Sequence, residues 1–205
     1  MTRQSTDTGL RIAARAPQVM LMALLCMFLA REASAGTCSA SAFSCPASGT
    51  CIITGTWNIG SDCVLDFGTK AVELKGTFQA ETQTGAFEVR AANLTLNGGK
   101  LKSLGDTLAP GGAISVVLTG QFLAKGSGPR IDTSGNSGGP IRISAATIDL
   151  QTGTIVADGG TTEDCGDGGI ITLEAFAGLL LGFNRSSQHL VSGRFVGARR
   201  APQQE

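Results

Sequence analysis

The chain has 205 residues, with 16 Lys or Arg and 16 Asp or Glu, so its formal net charge is zero at neutral pH. This balance gives no basic footprint for a nucleic acid. The chain has no Tyr and a single Trp, which leaves few rings for base stacking or for a sugar platform. Its length suits one domain, or one domain followed by a tail.

The N-terminus has the pattern of an export signal. Three arginines precede residue 16, residues 19–30 form an apolar run, and Ala33-Ser34-Ala35 matches an A-x-A cleavage site. We therefore expect residues 1–35 to be a signal peptide and the mature chain to begin near Gly36. The apolar run is too short for a transmembrane helix. We expect a secreted or cell-surface protein whose mature chain has no membrane span.

Four cysteines, Cys38, Cys45, Cys51 and Cys63, cluster in the first part of the mature chain. Export favours disulfides, and the absence of a C-x-x-C pair or a nearby His argues against zinc. We interpret residues 36–62 as a disulfide-containing cap with the first strands. Cys38–Cys45 and Cys51–Cys63 are the shortest closures, although other connectivities are possible.

One cysteine, Cys165, is left over in the loop TTEDCGDGG. Three states are open for Cys165: a free thiol, a disulfide to a second chain, or a single cysteine whose original partner has been lost.

A repeated phrase runs through the middle of the chain. It contains short alternating apolar runs and then a Gly-rich turn, and its first apolar residues are Phe87, Ile114, Ile141 and Ile170. The intervals are 27 (114 − 87), 27 (141 − 114) and 29 (170 − 141) residues. A fixed period of this size is the sequence signature of a solenoid.

Within each repeat the apolar residues alternate with period 2, which indicates strands. Three short strands per repeat predict an all-β fold, a right-handed parallel β-helix, with coils over residues 63–176. Equivalent residues should stack in ladders such as Phe87–Ile114–Ile141–Ile170, and doubled glycines should form the corners. An antiparallel sandwich is the alternative, but it needs no constant spacing between turns. Residues 177–205 lose the pattern and are expected to be a tail or a truncated continuation.

The repeat style, clearest in GGPIRISAATIDLQTGTIVADGG at residues 138–160, resembles that of secreted bacterial right-handed parallel β-helix proteins. This broad group includes pectate-lyase-like and haemagglutinin-adhesin-like proteins, and the resemblance covers roughly residues 52–176. Its polysaccharide lyases and hydrolases use carboxylates, often with Ca²⁺ and a basic residue, on an exposed face of the coils. The resemblance therefore implies a fold shared by several functions.

Acidic residues gather at one corner of the predicted coils. Asp132, Asp158, Asp164 and Asp167 follow third strands, and clustered carboxylates suit Ca²⁺, which accepts oxygen ligands. The alternative is that they are ordinary turn residues, since Asp is favoured in turns. Arg130 is the basic residue beside this corner and is expected to pair with Asp132 or another turn acid. No other cofactor is indicated.

These features favour an exported, non-enzymatic β-helix module with a structural, surface or adhesin-like role. Extracellular glycans or surface proteins would be its partners. A polysaccharide-active enzyme, its truncated relic, or a saccharide-binding module is the alternative.

Overall fold

The computed structural model describes residues 36–160, 166–181 and 194–196. The expected signal peptide, Asp164, Cys165 and most of the chain after residue 181 lie outside the described residues. Within the described part, a 3-10 turn at Ala40–Ala42 is followed by strands. None of the described helices is long and apolar enough to cross a membrane. The strands are β1 (Cys51–Ile53), β2 (Thr56–Ile59), β3 (Cys63–Asp66), β4 (Ala71–Leu74), β5 (Thr77–Ala80), β6 (Phe87–Ala91), β7 (Asn93–Asn97), β8 (Lys100–Lys102), β9 (Ile114–Leu118), β10 (Gln121–Lys125), β11 (Arg130–Asp132), β12 (Ile141–Leu150), β13 (Thr154–Val156), β14 (Ile170–Leu181) and β15 (Arg194–Val196).

The strands form a parallel β-solenoid with three faces. Face A contains β3, β6, β9, the first half of β12, the start of β14, and β15. Face B contains β1, β4, β7, β10 and the second halves of β12 and β14, while face C contains β2, β5, β8, β11 and β13. Each pairing is parallel, so each coil adds one strand to each face. The predicted all-β solenoid is confirmed.

Alternation along each strand builds the core. Ile143 on β12 pairs with Val116 on β9 and Leu173 on β14, and all three side chains are buried. Their sequence neighbours point outward, because successive side chains on a strand face opposite sides of the sheet. The interior is therefore a set of apolar ladders that run from coil to coil, and stacking removes each ladder from water.

The ladder predicted to begin at Phe87 is confirmed except at its last rung. Phe87 pairs with Ile114, which pairs with Ile141, but Ile141 pairs with Ile171 rather than with Ile170. Ile170 is 48 % exposed and Ile171 is fully buried. The last interval is thus 30 residues (171 − 141), and the longer turn before β14 absorbs the additional residue.

Glycines occupy the corners, as predicted, for two different physical reasons. Gly98, between face B and face C, has a φ of 72°, which glycine tolerates far better than residues with a side chain. Gly139, between face C and face A, lies so close to the coil before it that a Cβ would collide with the carbonyl oxygen of Gly112. The first corner needs glycine's backbone freedom and the second needs its missing side chain.

An aromatic cap closes the N-terminal end of the solenoid. Phe43, which follows the 3-10 turn, is buried with its ring centroid 4.8 Å from Trp57, 5.3 Å from Phe78 and 5.6 Å from Phe67. Lys70 donates hydrogen bonds from Nζ to carbonyl oxygens of the cap loop, at 2.7 and 3.0 Å. The cap therefore covers apolar surface that the first coil would otherwise expose.

Two disulfides attach the cap to the coils. Cys38 is bonded to Cys63, at the start of face A, with a Cα–Cα distance of 5.1 Å. Cys45 is bonded to Cys51, at the start of face B, with a Cα–Cα distance of 4.7 Å. The expected shortest closures, Cys38–Cys45 and Cys51–Cys63, are not the pairs in the structure. Spatial proximity decides the pairing, because folding brings the chain before Phe43 back beside β3.

Candidate functional site

A shallow groove crosses the outer side of face A and has a volume of about 320 Å³. Its lining comes from equivalent positions on four successive coils, at the beginning of the face A strands. One row, immediately before the strands, contains Ala86, Ala113 and Pro140 with Asp62 at its end. The groove therefore runs along the solenoid axis, across the strands, with a largely apolar floor.

A second row borders the groove and carries charge. Glu88, Ser115 and Arg142 are outward-facing neighbours on β6, β9 and β12, because Glu88 pairs with Ser115 and Ser115 with Arg142. The stacking of parallel strands at roughly 4.8 Å places these side chains next to one another. The groove thus has an acidic residue toward one end and a basic residue toward the other.

Two charged residues that line the groove, Glu88 and Arg142, are paired with other residues of face A. The Arg90 guanidinium donates to the carboxylate of Glu88, two residues earlier on the same strand. Arg142 donates from Nη2 to Oε2 of Glu174 on the neighbouring strand, at 2.9 Å. The pKa of Arg90 is raised, first by its hydrogen bond to Glu88 and then by the charge of that carboxylate. These pairs present fixed polar groups beside the groove.

The acidic corner between faces C and A contains Asp132, one of the four residues of the expected calcium site. Asp132 is only 5 % exposed, and its Oδ2 accepts a hydrogen bond from Arg130 Nε at 2.7 Å. Its Oδ1 accepts bonds from the Ser134 hydroxyl at 2.7 Å and the Ser134 amide at 3.1 Å. The expected pairing of Arg130 with Asp132 is confirmed. Both carboxylate oxygens are engaged by the chain itself.

Two other acidic residues of this corner, Asp158 and Asp167, lie within the described part of the chain. Asp167 is exposed, and its carbonyl oxygen accepts a bond from the Gly138 amide at 3.0 Å. Asp158 has a buried Oδ1 that finds no hydrogen-bond partner among the residues the structure describes. Among the described residues no three His, Cys, Asp or Glu side chains come close enough to hold a metal ion. Asp164 lies outside that range, so calcium binding at Asp132, Asp158, Asp164 and Asp167 stays a prediction.

A second cavity, of about 400 Å³, lies between the stacked loops of the same corner. Asp106 on its wall accepts bonds at Oδ1 from the amides of Leu108 at 2.7 Å and Ala109 at 2.8 Å. These bonds, that of Leu108 first, lower the pKa of Asp106 below its usual value. The carboxylate therefore stabilises its own loop, as an acidic turn residue is expected to do.

Face B carries a polar arrangement that sequence reasoning missed. Asn97 donates from Nδ2 to Oε1 of Glu73 at 2.8 Å, and Nζ of Lys75 lies 3.5 Å from the same oxygen. The hydrogen bond from Asn97 and the nearby charge of Lys75 lower the pKa of Glu73, against the effect of its burial. The sequence signal that would have found this group is the equal coil position of Lys75 and Asn97, since each directly follows a buried leucine, Leu74 or Leu96.

Comparison of the chain with protein-family models, curated proteins and solved structures found no match to any of them.

Proposed function

We propose that this protein is an exported, non-enzymatic β-solenoid module that contacts extracellular partners through the outer surface of its coils. The observation that carries the proposal is the groove on face A, along which Glu88 and Arg142 are each held in an ion pair with another residue of the same sheet. Fixed charges beside an open apolar strip suit recognition. They are poorly suited to proton transfer at a substrate, which needs an acid or base free to exchange a proton.

The groups that each enzyme class requires support the same choice. A glycoside hydrolase places two carboxylates on either side of the scissile bond, one as acid and one as base or nucleophile. Of the two carboxylates that line the groove, Glu88 is held by Arg90 and Asp62 lies at the end of the row. The arginine that a lyase would use as base, Arg142, is held by Glu174. Using Glu88 or Arg142 in catalysis would first require breaking an ion pair.

The two disulfides support the extracellular location. Bonds such as Cys38–Cys63 form and persist in oxidising compartments and are rare in the cytosol. The sequence pattern of residues 1–35 supports export independently. Extracellular glycans or surface proteins are therefore the proposed partners.

A saccharide-binding role, with or without cleavage, is the second candidate, and the direction of the groove favours it. The groove follows the solenoid axis across four coils, so a linear polymer could contact the equivalent position of each coil in turn. The resemblance to pectate-lyase-like β-helix proteins points the same way. The small number of aromatic residues is less favourable, because sugars commonly stack on aromatic rings.

The experiment exposes the disulfide-bonded chain from Gly36 onward to a panel of pectins, other glycans and immobilised surface proteins. Binding is measured on a sensor surface, and released reducing or unsaturated ends are measured in the same samples. We expect binding without cleavage, and we expect Ala113→Arg, which fills the groove, to reduce binding while Leu123→Arg on face B leaves it unchanged. Released sugar ends would contradict the non-enzymatic proposal, and equal binding by both variants would contradict the groove.

A further inference from the structure

Face B brings an amine, a carboxylate and a carboxamide together on neighbouring coils. Lys75 and Asn97 directly follow Leu74 and Leu96, which pair with each other on β4 and β7. Glu73 projects from the same outer side, and its Oε1 contacts both the amide nitrogen of Asn97 and the amine of Lys75, at 2.8 and 3.5 Å. One carboxylate oxygen therefore bridges a nucleophile and a possible leaving group.

We propose that Lys75 and Asn97 are a cross-linking pair, which forms an amide bond between two coils with Glu73 as the proton-transfer group. In this step Nζ of Lys75 attacks Cγ of Asn97, a new C–N bond forms, and the bond from Cγ to Nδ2 breaks. Nζ gives up two protons as the amide forms, and Glu73 passes them to Nδ2. The former amide nitrogen therefore leaves as an ammonium ion. The lysine ammonium and the carboxamide thus become a secondary amide and an ammonium ion, with no oxidant, reductant or cofactor.

The solenoid supplies the positioning that such a reaction needs. Hydrogen bonding holds β4 and β7 side by side, so Lys75 and Asn97 occupy neighbouring positions, and Glu73 contacts both side chains. Intramolecular reactions of well-oriented groups gain greatly in rate. Side-chain exposure is 21 % for Glu73 and 44 % for Lys75, so the carboxylate is the better shielded of the two. The hydrogen bond from Asn97, and then the charge of Lys75, lower the pKa of Glu73, so the carboxylate is ionised and lies in contact with both reacting groups.

The backbone blocks the reaction that would compete for the same carboxamide. In an Asn-Gly sequence the glycine amide nitrogen can attack the Asn side chain and close a succinimide. Here the amide of Gly98 donates a hydrogen bond to the carbonyl oxygen of Lys125 at 2.9 Å, within the contact between the two coils. Attack by Gly98 would require this bond to break, whereas attack by Lys75 leaves the coil contact intact.

Intact-mass measurement of the folded chain, incubated at mildly alkaline pH, tests the proposal. We expect loss of one ammonia, and digestion should yield a branched peptide in which Lys75 is joined to Asn97. Lys75→Arg and Asn97→Asp should abolish the loss of ammonia. Glu73→Gln should slow it by at least about tenfold, because general acid–base catalysis typically contributes about a hundredfold or more. Lys125→Arg, the matched control on the other neighbouring coil, should leave it unchanged.

Three results would overturn the proposal. The first is a chain that keeps its full mass after prolonged incubation. The second is ammonia loss without a branched peptide, which would identify a succinimide at Asn97-Gly98. The third is a branch at Lys125, which would show that the other neighbouring lysine is the nucleophile. Thermal unfolding of each variant, measured in parallel, separates loss of the reaction from loss of the fold.

Discussion

Arg130 donates a hydrogen bond from Nε to Oδ2 of Asp132 at 2.7 Å, and the two residues lie two positions apart on β11. Both side chains project from the outer side of the strand, because residues two apart on a strand share one face. The ion pair therefore depends only on the local geometry of β11. With Ser134 occupying the other oxygen, the acidic residue best placed to begin a metal site is already satisfied by the chain.

We therefore expect Ca²⁺ to have no specific effect on stability. A ligand that binds the folded state raises its stability by RT ln(1 + [L]/Kd), whereas ordinary turn carboxylates only have their repulsion screened. Melting curves in millimolar Ca²⁺ and in chelator, at matched ionic strength, should coincide. A Ca²⁺-specific rise in Tm that Asp158→Asn abolishes would instead establish the calcium site and revive the enzyme alternative.

The aromatic cap gives a prediction about stability. Phe43→Ala should lower the free energy of unfolding by about 3 to 5 kcal/mol, because it leaves a cavity among Trp57, Phe67 and Phe78. Leu108→Ala is the control, since Leu108 is 88 % exposed and should change stability by less than about 0.5 kcal/mol. Denaturant unfolding measures both, and equal effects would show that Phe43 does not close the solenoid.

The disulfide pairing can be read from a non-reduced digest. Cleavage after Phe43 and Trp57 separates Cys38, the Cys45 and Cys51 pair, and Cys63 into three peptides. The structure predicts that the first and third peptides are joined, while the middle one carries an internal bridge. Either other connectivity would link all three peptides into one product, which mass spectrometry distinguishes directly.

The lowered pKa of Asp106 gives a prediction about pH. A carboxyl whose pKa is lower in the folded than in the unfolded state adds stability above its unfolded value, near 3.8, and loses it as the pH falls through the folded value. Asp106→Asn should therefore reduce stability at neutral pH and flatten its dependence on pH below that value. The control is Asp62→Asn, since the Asp62 side chain makes no hydrogen bond among the described residues. An unchanged acid dependence in Asp106→Asn would contradict the assigned role of the Leu108 and Ala109 amides.

Sequence periodicity predicts which residues face the core, because that depends on alternation along each strand. It does not predict which residues from different coils come into contact. The inward residues from Phe87 to Ile141 follow from the period-2 pattern and from equal coil lengths, so they could be placed correctly. Ile170 was misplaced because two adjacent isoleucines both fit the pattern, and only the length of the preceding turn selects between them.

The candidate sites show the same limit. The pairing of Arg130 with Asp132 is local and was anticipated. The Cys38–Cys63 bond and the contact of Glu73 with Asn97 join residues that meet only after coils stack, so their sequence separation gives little indication of them.

The two isoleucines at the start of β14 test the account most directly, since the one that faces the core sets the outward position of Glu174 and thus its ion pair with Arg142 beside the groove. Ile171 is fully buried and pairs with Ile141, whereas Ile170 is 48 % exposed. Denaturant unfolding should show that Ile171→Ala loses about 2 to 5 kcal/mol while Ile170→Ala loses less than about 1 kcal/mol. Equal losses, or a larger loss for Ile170→Ala, would contradict the register of β14 and with it the ion pair between Arg142 and Glu174 that fixes one border of the groove.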